Sequence, residues 1–214
     1  MRNNNIYITA AGIIVLLVGA GALLNSWKPV FQPNHPVRHS VSLQPQHDTT
    51  RFTTIYSQIF LQGNARSMDF HQVGKLWNDV EVEAKFCVRP HLVVIGTEGD
   101  ISVPFSIDIT NEEPTIKLED WDHVNRCMIE IDDKLRIYGD WDFPEEYVRS
   151  FDLPSGHYGV LICYKALDSV YDNDPNVDPT DSYHVFMWPT VSEVPMKVLK
   201  QWRYVPVDTT QQDW

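Results

Sequence analysis

The chain has 214 residues, 43% of them hydrophobic and 12% aromatic, which excludes global disorder and supplies apolar side chain for one packed core. The net charge of −12 argues against a nucleic-acid backbone as the partner and favours basic partners. The charge is concentrated: Glu112–Glu146 holds 12 acidic against 4 basic side chains, and Asp168, Asp172, Asp174, Asp178 and Asp181 follow with no base between them.

The first element is Ile6–Leu24, 19 residues without a charge. As a helix it would extend about 28 Å, close to the hydrocarbon thickness of a bilayer. Ala20-Gly21-Ala22 fits a signal-peptide cleavage pattern, but Leu23 and Leu24 carry the apolar run past it. A retained single transmembrane helix is therefore expected, with cleavage after Ala22 as the alternative. Arg2 on one flank and Lys28 and Arg38 on the other orient it only weakly. The expected placement is single-pass in the inner membrane, with the C-terminal domain outside the cytoplasm. The expected organisation is an anchor over 1–25, an extended Pro-rich linker over 26–50 and one domain over 51–214.

From Arg51 the pattern is that of strands. Thr54–Gln62 reads as the first. Ser67–Asn78 reads as a short helix, with Ser67 or Asp69 as its N-cap. Val80–Val88 alternates, with Val80, Val82, Ala84, Phe86 and Val88 on one face and Glu81, Glu83 and Lys85 on the other, which predicts a half-buried strand. Leu92–Gly96 and Ile101–Ile109 follow. Cys127–Ile131 and Lys134–Tyr138 flank a tight turn at Asp132-Asp133. Gly156–Lys165 and Ser182–Trp188 are dense β-former runs joined by an acidic, Pro-rich loop, and predict a hairpin-like antiparallel pair. Met196–Trp202 closes the series as a short helix or strand. About eight short strands with few helices predict a mainly β protein, an antiparallel β-sandwich. Val82, Phe86, Phe105, Leu161 and Phe186 are expected inside it.

The residues that could carry chemistry are sparse. Cys87, Cys127 and Cys163 show no C-x-x-C spacing and sit among apolar neighbours, so buried thiols are expected, with one disulfide open to an exported domain. His35 with His39, and His123 with Cys127, have ligand-like spacing but no second matching pair. The run Asp172 to Asp178 is oxygen-rich, yet Val177 replaces the glycine and Tyr183 the final glutamate of an EF-hand loop. Ser155-Gly156-His157 lacks a nucleophile-elbow context. His157 and His184 lie on adjacent predicted strands and read as a sheet-face pair. Neither a metal, a cofactor nor a catalytic residue is expected. Asp140-Trp141-Asp142, with Glu145 and Glu146, sets carboxylates around an aromatic anchor. A Trp can anchor an interface while acids steer the encounter. Asp140, Trp141, Asp142, Glu145, Glu146, Asp172, Asp174 and Asp178 are accordingly the expected partner-binding residues.

Several segments in collinear order resemble the competence protein J family: Ser67-Met-Asp-Phe70, the Val80–Val88 segment, Val103-Pro104-Phe105, and Phe151-Asp-Leu-Pro-Ser-Gly-His-Tyr-Gly-Val160. The resemblance runs over roughly residues 54–188. It implies a small acidic β domain that inhibits a membrane-associated DNA-entry nuclease, and it carries no functional residue over to a position here. Composition and resemblance together predict a membrane-tethered binding protein that neutralises a basic protein, most readily a nuclease-type toxin. An exported ligand- or carbohydrate-binding module, or a structural subunit of an envelope complex, is the alternative. An exposed acidic patch would favour the first, and an aromatic-lined cleft the second.

Overall fold

The computed structural model describes residues 42–64, 77–99, 102–140, 147–171 and 180–204. The predicted span Ile6–Leu24 and most of the predicted helix Ser67–Asn78 lie outside these residues. Among the described residues, no helix is long and apolar enough to cross a membrane.

In chain order the elements are β1 (Gln46–Phe52), β2 (Gln58–Gln62), the helix α1 (Asp79–Ala84), β3 (Phe86–Arg89), β4 (Leu92–Gly96) and β5 (Val103–Ile109). Then come β6 (His123–Ile131), β7 (Lys134–Gly139), β8 (Arg149–Asp152), β9 (Gly156–Lys165), β10 (Ser182–Thr190) and β11 (Lys197–Lys200). They form a six-stranded sheet, β1-β5-β10-β9-β6-β11, and a five-stranded sheet, β3-β4-β2-β7-β8. The mainly β reading holds, with two corrections. Eleven strands are described where about eight were expected. One pair, β5 with β10, is parallel, so the sheets are antiparallel-rich rather than wholly antiparallel.

Period-2 alternation builds the core between the layers. Val103, Phe105, Ile107 and Ile109 point inward from β5, and Tyr183, Val185 and Met187 from β10. Ile59 and Leu61 of β2, Val93 and Ile95 of β4, and Leu135 and Ile137 of β7 meet them from the smaller sheet. The predicted pair β9–β10 forms with antiparallel register, Ser182 opposite Lys165 through Thr190 opposite His157. β9 is buried without a break from Tyr158 to Tyr164 because both of its faces are covered. Its outer face supports a second cluster of Val124, Leu161, Cys163, Trp188 and Val194. Leu161 is thus buried as expected, but in this outer layer, and Phe186 beside it is only half-buried. Gly159 makes room for the layer: a Cβ there would lie 2.3 Å from the Trp188 ring.

Two sequence expectations change. The linker was expected to run through Thr50, whereas Gln46–Phe52 is β1, paired with β5. The Asp132-Asp133 turn carries the chain from β6 in one sheet to β7 in the other. Val80–Val88 is not one strand. Asn78 caps α1, accepting the N–H groups of Val80 and Glu81 at 3.0 Å each, while the Glu81 carboxylate accepts the Asn78 N–H at 3.0 Å. This reciprocal capping box outweighs the strand preference of two valines. Val80 and Val82 are left 71% and 60% exposed, so Val82 is not a core residue. Lys85 ends the helix in the left-handed region, φ 58°, and the chain then enters β3 with Phe86 buried as expected.

Candidate functional site

Asp140 does not belong to an exposed patch. It is 6% exposed, and its two carboxylate oxygens accept the N–H groups of Ile55 and Tyr56, each at 2.6 Å. A buried carboxylate needs such donors, and the β1–β2 loop supplies them. Asp181, counted in the second acidic run, is also buried; its Oδ2 accepts the Gly99 N–H at 3.1 Å and the Tyr183 hydroxyl at 2.8 Å. Trp141, Asp142, Glu145, Glu146, Asp172, Asp174 and Asp178 lie outside the described residues.

The described acidic surface is the connection from β5 to β6, residues 110–122. Its start is fixed by the Thr110 N–H, donated to the Met187 carbonyl at 2.8 Å. Asn111 clips Leu43 from both sides, accepting its N–H at 2.7 Å and donating to its carbonyl at 3.0 Å. Ile116 and Trp121 pack into the outer cluster, so the connection straps across the larger sheet. Lys200 Nζ donates to the Leu118 carbonyl at 3.2 Å and also to that of Trp121. Two acids serve the strap itself. Glu113 pairs with Arg126 at 2.6 Å, and Asp122 accepts the Leu167 N–H at 3.0 Å. Glu112, Glu119 and Asp120 stand exposed on it, with Lys117 among them.

Beside the strap lies a row of titratable groups on the outer face of the same sheet. Asp108 of β5 receives His47 Nδ1 at 2.8 Å on one oxygen and His184 Nε2 at 2.6 Å on the other. Trp121 of the strap meets the His184 ring edge-on at 5.9 Å. Burial pushes the His184 pKa below its ordinary 6.5, and the Asp108 hydrogen bond opposes that shift. His157 is not its neighbour: register sets His184 against Cys163 and His157 against Thr190. Three strands bring His47, Asp108 and His184 together, and alternation along each strand was the available signal.

A third grouping, also missed from sequence, surrounds Lys85. Its ammonium pairs with Glu98 and lies 4.7 Å from the centre of the Trp202 ring. Tyr171 stacks on Tyr204 at 4.3 Å and on Trp202 at 6.1 Å. The Tyr171 hydroxyl bonds Glu98, which raises its pKa to about 12. Trp202 Nε1 donates to Asp168 at 3.1 Å. Tyr171 and Tyr204 are exposed, so an aromatic surface with two carboxylates at its margin faces solvent.

The three cysteines are free and buried, and burial pushes the thiols of Cys87 and Cys163 up to about 11 and about 12. His123 is fully engaged: Nε2–H donates to the Ala84 carbonyl at 2.9 Å, and Nδ1 accepts the Trp202 N–H at 3.1 Å. His35, His39 and the run from Asp172 to Asp178 lie outside the described residues.

No family model and no curated protein matches the sequence. Two solved structures are similar at the level of overall fold. One is ComJ from Bacillus subtilis, described as an inhibitor of the DNA-degrading activity of NucA; it is 14% identical with a TM-score of 0.44, over 70% of this chain and 98% of its own. The other, described as crocagin biosynthetic gene J, is 13% identical with a TM-score of 0.44, over 68% of this chain and 97% of its own.

Proposed function

We propose that the chain is a membrane-tethered binding protein that neutralises a basic protein partner of the nuclease type, acting outside the cytoplasm. The observation that carries this reading is the acidic strap. Glu112, Glu119 and Asp120 are exposed on a connection pinned to β10, β11 and the outer cluster, so they meet a partner with little ordering cost. Carboxylates held in this way can occupy the lysine and arginine side chains with which a nuclease grips phosphates. The choice of a nuclease rests on the sequence resemblance. Exposed acids steer association more than they hold a complex, so their effect belongs in the on-rate and falls with salt.

The test uses the full-length chain in detergent and the basic nuclease encoded nearest its gene. DNA cleavage should be inhibited, and the association rate should drop steeply between low and physiological salt. Replacing Glu112, Glu119 and Asp120 together by Gln, Gln and Asn should slow association by about tenfold at low salt without moving the unfolding midpoint. Inhibition that ignores both salt and the triple replacement would remove the strap from the interface. A phosphatase-type reporter fused after Trp214 tests the tether, and its inactivity would overturn the outside placement. The aromatic surface of Tyr171, Trp202 and Tyr204 favours a second reading, a carbohydrate-binding module. Oligosaccharide binding that is lost in Trp202→Ala would move the assignment there.

A further inference from the structure

Three ligating side chains converge where the β3–β4 turn meets the end of β6: His91 from the turn, Glu130 from the last residues of β6 and Asp132 just after it. We infer that His91, Glu130 and Asp132 bind one divalent transition-metal ion of the zinc or manganese class. One nitrogen of His91 and one oxygen from each carboxylate lie within 4.8 Å of one another. His91 Nδ1 is 3.2 Å from the main-chain oxygen of Glu130, the kind of contact that fixes the tautomer of a ligating imidazole. The other ring nitrogen, Nε2, lies 3.6 Å from Glu130 Oε2. Asp132 Oδ1 lies 3.7 Å from Nδ1 of the same ring. Metal bonds of about 2.0–2.2 Å set tetrahedral neighbours about 3.4 Å apart, so small rotations of these partly exposed side chains complete the geometry.

The frame beneath them is tight. The Glu130 N–H donates to the Pro90 carbonyl, the Gly63 N–H to the His91 carbonyl and the Asp132 N–H to the Gly63 carbonyl, each at 2.8 Å. Gly63 permits this approach, since a Cβ there would lie 2.0 Å from the Glu130 oxygen. Two carboxylates with a neutral imidazole balance a divalent charge, and this ligand set suits zinc or manganese rather than the soft ions that thiolates select. Water would complete the coordination.

Calorimetric titration of the full-length chain with zinc at neutral pH, in a buffer that does not chelate, should show an equivalent that disappears in His91→Ala. Glu130→Gln and Asp132→Asn should each weaken it by about tenfold or more, since loss of even an outer partner of a ligand costs about that much. His47→Ala, at the other imidazole–carboxylate grouping, should leave it unchanged. Absence of binding to the native chain, undiminished binding in Glu130→Gln, or a loss that follows His47→Ala would each overturn the site. If His91→Ala fails to fold by circular dichroism, Glu130→Gln and the zinc-induced shift of the His91 ring resonances decide.

Discussion

A carboxylate counted as surface charge can be a structural acceptor, and Asp140 is the case in point. Both of its oxygens hold main-chain N–H groups of the β1–β2 loop, so it organises Ile55 and Tyr56 rather than meeting a partner. Asp140→Asn keeps the shape but turns an amide donor toward one of those N–H groups. The expected cost is about 1.5–3 kcal/mol, the range for hydrogen bonds to a charged group, read as a lower urea midpoint. An unchanged midpoint would return Asp140 to the surface. Asp181 does similar work for Gly99. Neither role was legible in the sequence, because composition counts charges and is silent on which way a side chain turns. The burial of the three thiols was legible, since each has apolar neighbours along its strand.

Among the elements, β4, β9 and β10 were read well, and for one reason. Their β-former runs are bounded by turn residues and leave no competing period. α1 was misread because six residues are too few to separate a period of two from one of 3.6 when the same segment carries valines. The decisive signal was Asn78-x-x-Glu81, a capping box split between two readings, Asn78 as the end of the preceding helix and Glu81 as part of a strand's polar face. Asn78→Ala should therefore cost about 0.5–2 kcal/mol, while Val82→Lys should stay within about 0.5 kcal/mol because that side chain faces water. A strand would reverse the order, and paired urea titrations of the two variants distinguish the cases. The strap over 110–122 also escaped the sequence reading, for its contacts are with β10 and β11, distant along the chain.

For the molecule as a whole, stability should depend on pH in two windows. Burial lowers the His123 and His184 pKa values below 6.5, so the unfolded chain takes up protons that the folded protein refuses. That contribution is complete above about pH 6.5 and is lost as pH falls toward the folded values. Glu81, paired with Arg89, has its pKa lowered from 4.5, and its contribution is lost as pH falls through that lower folded value. The urea midpoint should thus be level near pH 8 to about 7 and decline below, and His123→Gln should flatten the first part of the decline. The two-layer architecture was legible from alternation, but the strand order was not, since alternation fixes faces and leaves partners open. That order has a kinetic consequence. β5 lies between β1 and β10, so Phe105 is set in register by Thr50 on one side and Tyr183 on the other. Neither neighbour is local, and loop closure must precede both pairings. Until β10, which begins only at Ser182, arrives, an apolar strand has an open edge inside what will become the larger sheet. The nascent domain is therefore most prone to aggregation late in its synthesis, and the β10 segment is what ends that exposure.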